Sequence, residues 1–308
     1  MRLFDFHCDT LYKATTTNGS LLHNDYHISI EKANRLEQWL QVMAVWIPDE
    51  IRGQAAFDFV SKCADNLRQQ LSQAECNVYN PLNFNELVRS QHRKNIILAV
   101  EGGAALNGDI RNVKKLKDIG VQLLTLTWNG KNELGDGVGV INPKGLTNFG
   151  REAVAELERN KIVIDISHAS EPLFWDVAQI AARPFVATHS NSRTVCNHKR
   201  NLTDDQFKYM VSIKGIVGLN FCYYFLKDNG MADINDLLKH TEHFLSLGGE
   251  KTICIGSDFD GAAMPNGITG IHSMEKIYDY FLRHNYNEQL LKDIFFNNGY
   301  KFCENFDN

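Results

Sequence analysis

"KIVIDISHASEPLFWDVAQIAARPFVATH", residues 161–189, decides the fold. It opens on an apolar, β-branched run, "KIVIDISH" (161–168), that ends in a histidine. A helical stretch follows, "SEPLFWDVAQIA" (170–181), with Ser170 placed to cap its start and Pro172 in the first turn, where proline is tolerated. A second apolar run, "PFVATH" (184–189), again ends in histidine. Strand, helix, strand is a βαβ unit, and such units build parallel sheets.

The same alternation extends in both directions. "RLFDFH" (2–7), "LQVMAVWI" (40–47), "NIILAVE" (95–101) and "VQLLTLTW" (121–128) come before; "GIVGLNF" (215–221) and "TICIGSD" (252–258) come after. Several of these runs are too continuously apolar for a sheet that is wet on one face, whereas strands covered on both faces belong to parallel sheets. Amphipathic stretches lie between them. "GREAVAELERN" (150–160) puts Val154 and Leu157 on one face, "NLTDDQFKYMV" (201–211) offers a Thr203/Gln206 capping box, and "INDLLKHTEHFLSLGG" (234–249) stops at a glycine pair. Eight strands interleaved with helices predict an α/β fold, a (β/α)8 TIM barrel, as one domain over residues 1–308. The competing arrangement is a doubly wound open sheet, which binds its ligand at one crevice where the strand order reverses.

Composition agrees with a large-cored globular protein: 308 residues, 44% hydrophobic and 22% charged. A net charge of −5 without a long block of Lys or Arg predicts no nucleic-acid partner. The opening "MRLFDFHCDT" lacks the basic segment and long apolar run of a secretory leader, and no stretch approaches the roughly 18 apolar residues of a membrane span. The expectation is a cytoplasmic protein without membrane association. The seven cysteines are scattered, odd in number and never paired as CxxC, so they read as reduced thiols serving as small buried hydrophobes.

Polar residues gather where the apolar runs stop. His7 and Asp9 end the first, Glu101 the third, His168 the fifth, His189 the sixth and Asp258 the eighth. Alone, each would read as a loop residue or a cap. Together, at the C-terminal ends of strands, they would ring one mouth of a barrel, which points to a metal centre. Imidazole with carboxylate and no cysteine cluster suits zinc or another first-row divalent ion. Three His, two Asp and one Glu exceed one tetrahedral ion and suffice for two that share a carboxylate, the arrangement of two-metal hydrolases. Glu101 is the only glutamate of the set. Strand alternation turns His7 and Asp9 into the mouth and Cys8 toward the helices. It puts Asp5 on the face of His7, one layer deeper, to accept a ring N–H of that histidine or to bind a backbone amide.

"HCD", "VEGG", "LTLTWN", "DISHAS", "THSNS", "KRNLTDD" and "GSDFDG" occur in this order across nearly the whole chain. As an ordered set they resemble the membrane dipeptidase (renal dipeptidase) family of zinc peptidases. The resemblance implies two Zn2+ per chain, one held by His7 and Asp9, the other by His168 and His189, with Glu101 bridging them. It makes Asp258 the acid/base and Arg200, in "HKRN", the group that binds the C-terminal carboxylate of a dipeptide. It further implies hydrolysis by a metal-bridging hydroxide, tolerance of a D-residue at the C-terminal position, and a homodimer. Trp128 stands where renal enzymes carry a substrate-binding histidine, so either Asn129 or the metal takes over that duty, or the substrate differs. Tyr223 and Tyr224, in "NFCYYF" (220–225), line the pocket or lie in the core, and His198 sits near Arg200. "GDGVGV" (135–140) reads as a loop near the mouth, and His240 and His243, which lack a carboxylate partner motif, read as solvated or structural. The alternatives are another amidohydrolase-type hydrolase acting on a small carboxylate-bearing amide or lactone, and a non-catalytic binding protein that keeps the barrel, for which missing ligands would be the sign.

Overall fold

The computed structural model describes residues 1–73 and 77–306. Its strands are β1 (Arg2–Cys8), β2 (Gln38–Trp46), β3 (Lys94–Glu101), β4 (Val121–Thr125), β5 (Val163–Asp165), β6 (Val186–Ala187), β7 (Ile216–Leu219) and β8 (Ile253–Ile255). They pair in chain order, all parallel, and β1 returns to β8 through Asp5 and Ile255, so the sheet closes. Closure excludes the open doubly wound sheet. The four helices read from sequence are present as Asn148–Arg159, Glu171–Ile180, Asp204–Ser212 and Ile234–Ser246. Ser170 caps its helix by accepting from Leu173 N, and Thr203 and Gln206 form the reciprocal capping box.

Side chains along each strand divide between two apolar clusters. Phe4, Phe6, Leu40, Val42, Ile97, Leu123, Val163 and Val186 fill the barrel interior, while Leu3, Trp39, Ile96, Leu98 and Ile164 pack outward against the helices. Phe296, Phe302 and Phe306 from the C-terminal helices join the interior cluster and stopper the barrel at its N-terminal end. Arg2 fastens that stopper by donating to Asn297 Oδ1 at 2.7 Å. Each such ring taken out of water contributes about 1.5–3 kcal/mol.

From β4 to β8 the observed strands are shorter than their apolar runs. Just past β5 and β6 the backbone amides turn to a side chain: Ile166 N still donates to Val186 O at 2.9 Å, but Ser167 N and Thr188 N donate to Asp165 Oδ1 at 3.1 and 2.9 Å.

β1 departs from simple alternation. Three steps of β1, from Asp5 to Cys8, span two steps of β2, from Gln41 to Met43, which is a β-bulge. Phe4 and Phe6 belong to the interior, whereas Leu3 and Cys8 belong to the outer cluster. The extra residue therefore brings His7 to the same side as Phe6, and Asp5 does not share its face. Asp5 accepts from Ser257 Oγ (2.5 Å), Ser257 N (2.8 Å) and His7 N (3.3 Å), so the backbone-amide alternative is the one adopted. Cys8 does face the helix layer, fully buried. Among the described residues no helix is long and apolar enough to cross a membrane.

Candidate metal centre

The bulge in β1, the regular end of β3 and the early ends of β5 and β6 bring the predicted residues to one point. His7 Nε2 lies 3.4 Å from Asp9 Oδ2, 3.8 Å from Glu101 Oε2 and 3.9 Å from Asp258 Oδ1. On the other side, Glu101 Oε1 lies 2.7 Å from His168 Nε2 and 3.5 Å from His189 Nε2. The two oxygens of Glu101 thus face different groups, one His7 and Asp9, the other His168 and His189. Three overlapping triads, His7/Asp9/Glu101, Glu101/His168/His189 and His7/His189/Asp258, each have their donor atoms within 4.8 Å of one another. All six residues are buried.

The electrostatics are those of a cation site. Burial pushes His168 and His189 well below the usual imidazole range, so both are neutral, the form that binds metal. Burial acts the same way on His7, but Glu101, Asp9 and Asp258 around it outweigh burial and push it up to about 10. The carboxylates demand a positive charge, which a proton or a metal ion can supply. His168 Nδ1 lies 3.0 Å from Asn129 Oδ1, an oxygen that only accepts, so the proton of the neutral ring is on Nδ1. Its bare Nε2 points at His189 Nε2, 3.0 Å away. His7 Nε2 and Asp9 Oδ1 are buried without any hydrogen-bond partner. Orphaned, converging donors of this kind fit one or more divalent ions, and the N/O chemistry suits zinc.

Asp258 sits on a tight loop after β8 with φ of +61°, and Asp260 follows at +68°, conformations that cost a non-glycine residue about 1–3 kcal/mol. Surrounding bonds hold the loop. Asp258 N donates to His7 O at 3.1 Å. The buried Asp260 carboxylate accepts from Thr10 Oγ1 at 2.6 Å, Lys13 Nζ at 3.1 Å and His27 N at 2.9 Å. Asn220, at the end of β7, donates to Asp258 Oδ2 at 3.0 Å, which leaves Oδ1 directed at His7. Burial raises the Asp258 carboxyl above the ordinary range, with His7 and the Asn220 bond opposing.

A cavity of about 380 Å³ opens above the cluster. Arg200 lines it and is buried; its Nη2 donates to His189 O at 3.3 Å, while Nε and Nη1 have no partner. Trp128 and Trp46 form one wall, ring centroids 5.0 Å apart, and Tyr224 and Phe225 contribute another. Asn129 lines the cavity too, with its oxygen engaged by His168. Tyr223 is not among the lining residues. The chain turns into a short helix at Tyr223–Leu226, so strand alternation no longer applies, and its neighbour Tyr224 takes the wall position. His240 is buried in a structural role, accepting from Ser192 N and donating to Leu226 O, both at 3.1 Å. A wider polar groove of about 740 Å³ near Asn18 and Asp65 contains none of the strand-end residues.

Asn220, Asp260, Asp165 and Thr188 were not singled out from sequence. The available signal was a polar residue inside an apolar run, "GLNF" and "IVIDIS", and the second aspartate of "SDFDG".

Comparison with known proteins agrees with this geometry. An uncharacterized Klebsiella pneumoniae protein from the pqqA 5′ region is 30% identical over 220 residues, 68% of this chain and 81% of its own length. Dipeptidase 3 of Rattus norvegicus is 26% identical over 267 residues, 82% of this chain; the chain spans 53% of that relative's length. The crystal structure of a metallopeptidase from Rhodobacter sphaeroides, bound to a phosphinate mimic of the dipeptide L-Ala-D-Ala, superposes with a TM-score of 0.91 at 26% identity, covering 99% of both chains. The model of the membrane dipeptidase family, peptidase family M19, matches residues 1–308, and the chain belongs to that family of zinc-dependent metallopeptidases.

Proposed function

We propose that the protein is a binuclear zinc dipeptidase that hydrolyses small dipeptides and accepts a D-residue at the C-terminal position. The observation that carries this reading is the division of Glu101: one oxygen faces His7 and Asp9, the other His168 and His189. A carboxylate so placed would bridge two ions, with His7 and Asp9 on one and His168 and His189 on the other. When bound, zinc supplies Lewis-acid polarisation of a carbonyl and a water acidified to a pKa of about 7.

The chain's own residues supply the rest. Asp258 takes a proton from the attacking water and delivers it to the leaving amine, a task suited to a carboxyl whose affinity for protons is raised by burial. Asn220 fixes which of its oxygens faces the reaction. Arg200, buried with two nitrogens unpartnered, offers a planar fork for the C-terminal carboxylate of the dipeptide. Longer peptides lack a carboxylate at that position and would leave the guanidinium unpaired in a dry site, which is a basis for selecting dipeptides. Trp128 presents an aromatic face and one N–H, so this wall favours an apolar substrate side chain over a polar electrophilic contact. Acceptance of a D-residue draws on the relative bound to the L-Ala-D-Ala mimic. A reducing, cytoplasmic setting agrees with the buried thiols of Cys8, Cys63, Cys196, Cys222 and Cys254, and a homodimer is expected from the family resemblance.

The test is a panel of L–L and L–D dipeptides and their C-terminal amides, with and without chelator. Chelator-sensitive turnover of the free dipeptides and little turnover of the amides supports the reading. No turnover on any dipeptide, with zinc supplied, overturns it in favour of a different amidohydrolase-type substrate.

A further inference from the structure

We propose that Thr188 and Asp165 form a positioning relay that fixes the tautomer of His189, and with it the nitrogen that ring offers to the metal centre. The inference rests on the reading of His189 as a ligand.

Asp165 faces the barrel interior one residue layer above Val163 and is almost completely inaccessible. Its Oδ1 accepts from Ser167 N (3.1 Å), Ser167 Oγ (2.7 Å) and Thr188 N (2.9 Å). Its Oδ2 accepts from Thr125 Oγ1 (2.6 Å) and Thr188 Oγ1 (2.8 Å). A carboxylate accepts and cannot donate, and its bonds to the three hydroxyls, at 2.6–2.8 Å, are shorter than the 3.1 Å contact between Ser167 Oγ and Thr188 Oγ1, so each hydroxyl commits its single proton to Asp165. Thr188 Oγ1 also lies 2.8 Å from His189 Nδ1. With its proton already committed it can only accept, so Nδ1 must carry the hydrogen. Nε2 is then bare, and that is the atom lying 3.5 Å from Glu101 Oε1 and 3.0 Å from His168 Nε2.

The backbone is shaped to deliver Thr188 to this place. A Cβ at either Gly218 or Gly256 would stand 1.9 Å from the Thr188 carbonyl oxygen, so β7 and the loop after β8 each give up a side chain to let the end of β6 lean inward. His189 N donates to Ser167 Oγ at 3.1 Å, tying the histidine backbone to the same carboxylate cluster. Metal-binding histidines usually donate their second N–H directly to a carboxylate or carbonyl. Here one hydroxyl is interposed, and the carboxylate sets the ring's proton through it.

Three variants separate the relay from general packing. Thr188→Val keeps the shape and removes the hydroxyl; Thr188→Ser keeps the hydroxyl; Asp165→Asn offers Thr188 an N–H in place of an oxygen, freeing the threonine proton to point at His189. Nitrogen-15 spectra of the histidine rings in metal-free protein read the tautomer directly, and chelator competition reads zinc affinity. Wild type and Thr188→Ser should show His189 with the proton on Nδ1. Thr188→Val should show a mixture and Asp165→Asn a shift toward Nε2–H, and in both zinc affinity at one site should fall by about 10–100-fold. Thr188→Val and Asp165→Asn with unchanged tautomer and wild-type zinc affinity overturn the relay. Should one of them fail to fold, the other and the serine rescue still decide. Wild-type protein that binds no zinc would instead overturn the metallopeptidase reading, a distinct result from zinc-binding wild type with unaffected variants.

Discussion

Replacing Gly261 by alanine adds one methyl group at the most crowded point of the centre. The new Cβ would stand 1.9 Å from Asp9 Oδ2, 2.8 Å from Asp9 Cγ and 3.0 Å from Asp258 Oδ1. Restoring ordinary contact requires the Asp9 carboxylate to retreat by about 1.5 Å, since non-bonded atoms rest near 3.5 Å. The Asp9 backbone cannot follow easily, because its N–H is held by Phe259 O at 2.8 Å. Metal–ligand distances tolerate only about 0.2 Å, so the ion served by His7 and Asp9 loses a ligand. The fold itself should lose no more than the roughly 1–3 kcal/mol of a mild overpacking, because the displaced atoms are the end of one side chain beside a cavity. Gly261→Ala should therefore keep its circular dichroism spectrum and melt within several degrees of wild type. Zinc affinity at one site should fall by at least the 10–100-fold seen when only an outer partner of a ligand is removed. Chelator competition, metal analysis and dipeptide turnover on the same preparation give the answer. Gly261→Ala with wild-type zinc affinity and turnover would refute the placement of Asp9 in the centre.

Other outcomes follow from the same geometry. Asp258→Asn should retain metal and lose about 10²–10⁴-fold in kcat, the usual range for a general acid/base; near-normal kcat in a stopped assay removes it from that role. Cys8→Ser should leave metal content unchanged because Cys8 faces the helix layer, whereas His7→Ala should lose it; metal analysis of both variants checks the pair. Burial lowers His240 to about 4, while the unfolded chain takes that proton near 6.5. The unfolded state then binds more protons between these values, so this residue's contribution is fully present above about 6.5 and is lost as pH falls toward 4. Going from pH 7 to 5 should cost about 2 kcal/mol. Urea denaturation of wild type and His240→Gln at both pH values should show a smaller loss in the variant, and equal losses would contradict the assignment.

Much of this site is readable in the sequence because a parallel barrel converts linear position into convergence. A polar side chain just past an apolar run lands at the mouth whichever strand it follows, so His7, Asp9, Glu101, His168, His189 and Asp258 could be gathered without knowing a single distance. What alternation could not supply was the phase of β1. The bulge between Asp5 and Cys8 inserts one residue, and no feature of "LFDFHCD" distinguishes a bulge from a continuous strand. Simple alternation therefore puts Asp5 on the wrong face, while His7 and Asp9 still reach the mouth. Tyr223 cannot be told from Tyr224 in the sequence for a similar reason, since the chain stops being a strand before both. Asn220, Asp165 and Asp260 act through hydrogen bonds between strands far apart in sequence, and a linear pattern carries no information about which polar group meets which. Arg200 by itself reads as an exposed charge at the start of a helix; the family resemblance gave it a substrate role, and the fold buries it against the cavity.

The central claim is that two zinc ions share Glu101. Crystals of the zinc-loaded protein measured on both sides of the zinc absorption edge locate the ions without any assumption about ligands. Two anomalous peaks are expected about 3.5–4 Å apart on either side of the Glu101 carboxylate, one beside His7 and Asp9 and the other beside His168 and His189. A single fully occupied peak, or two peaks that leave Glu101 uncoordinated, would contradict it.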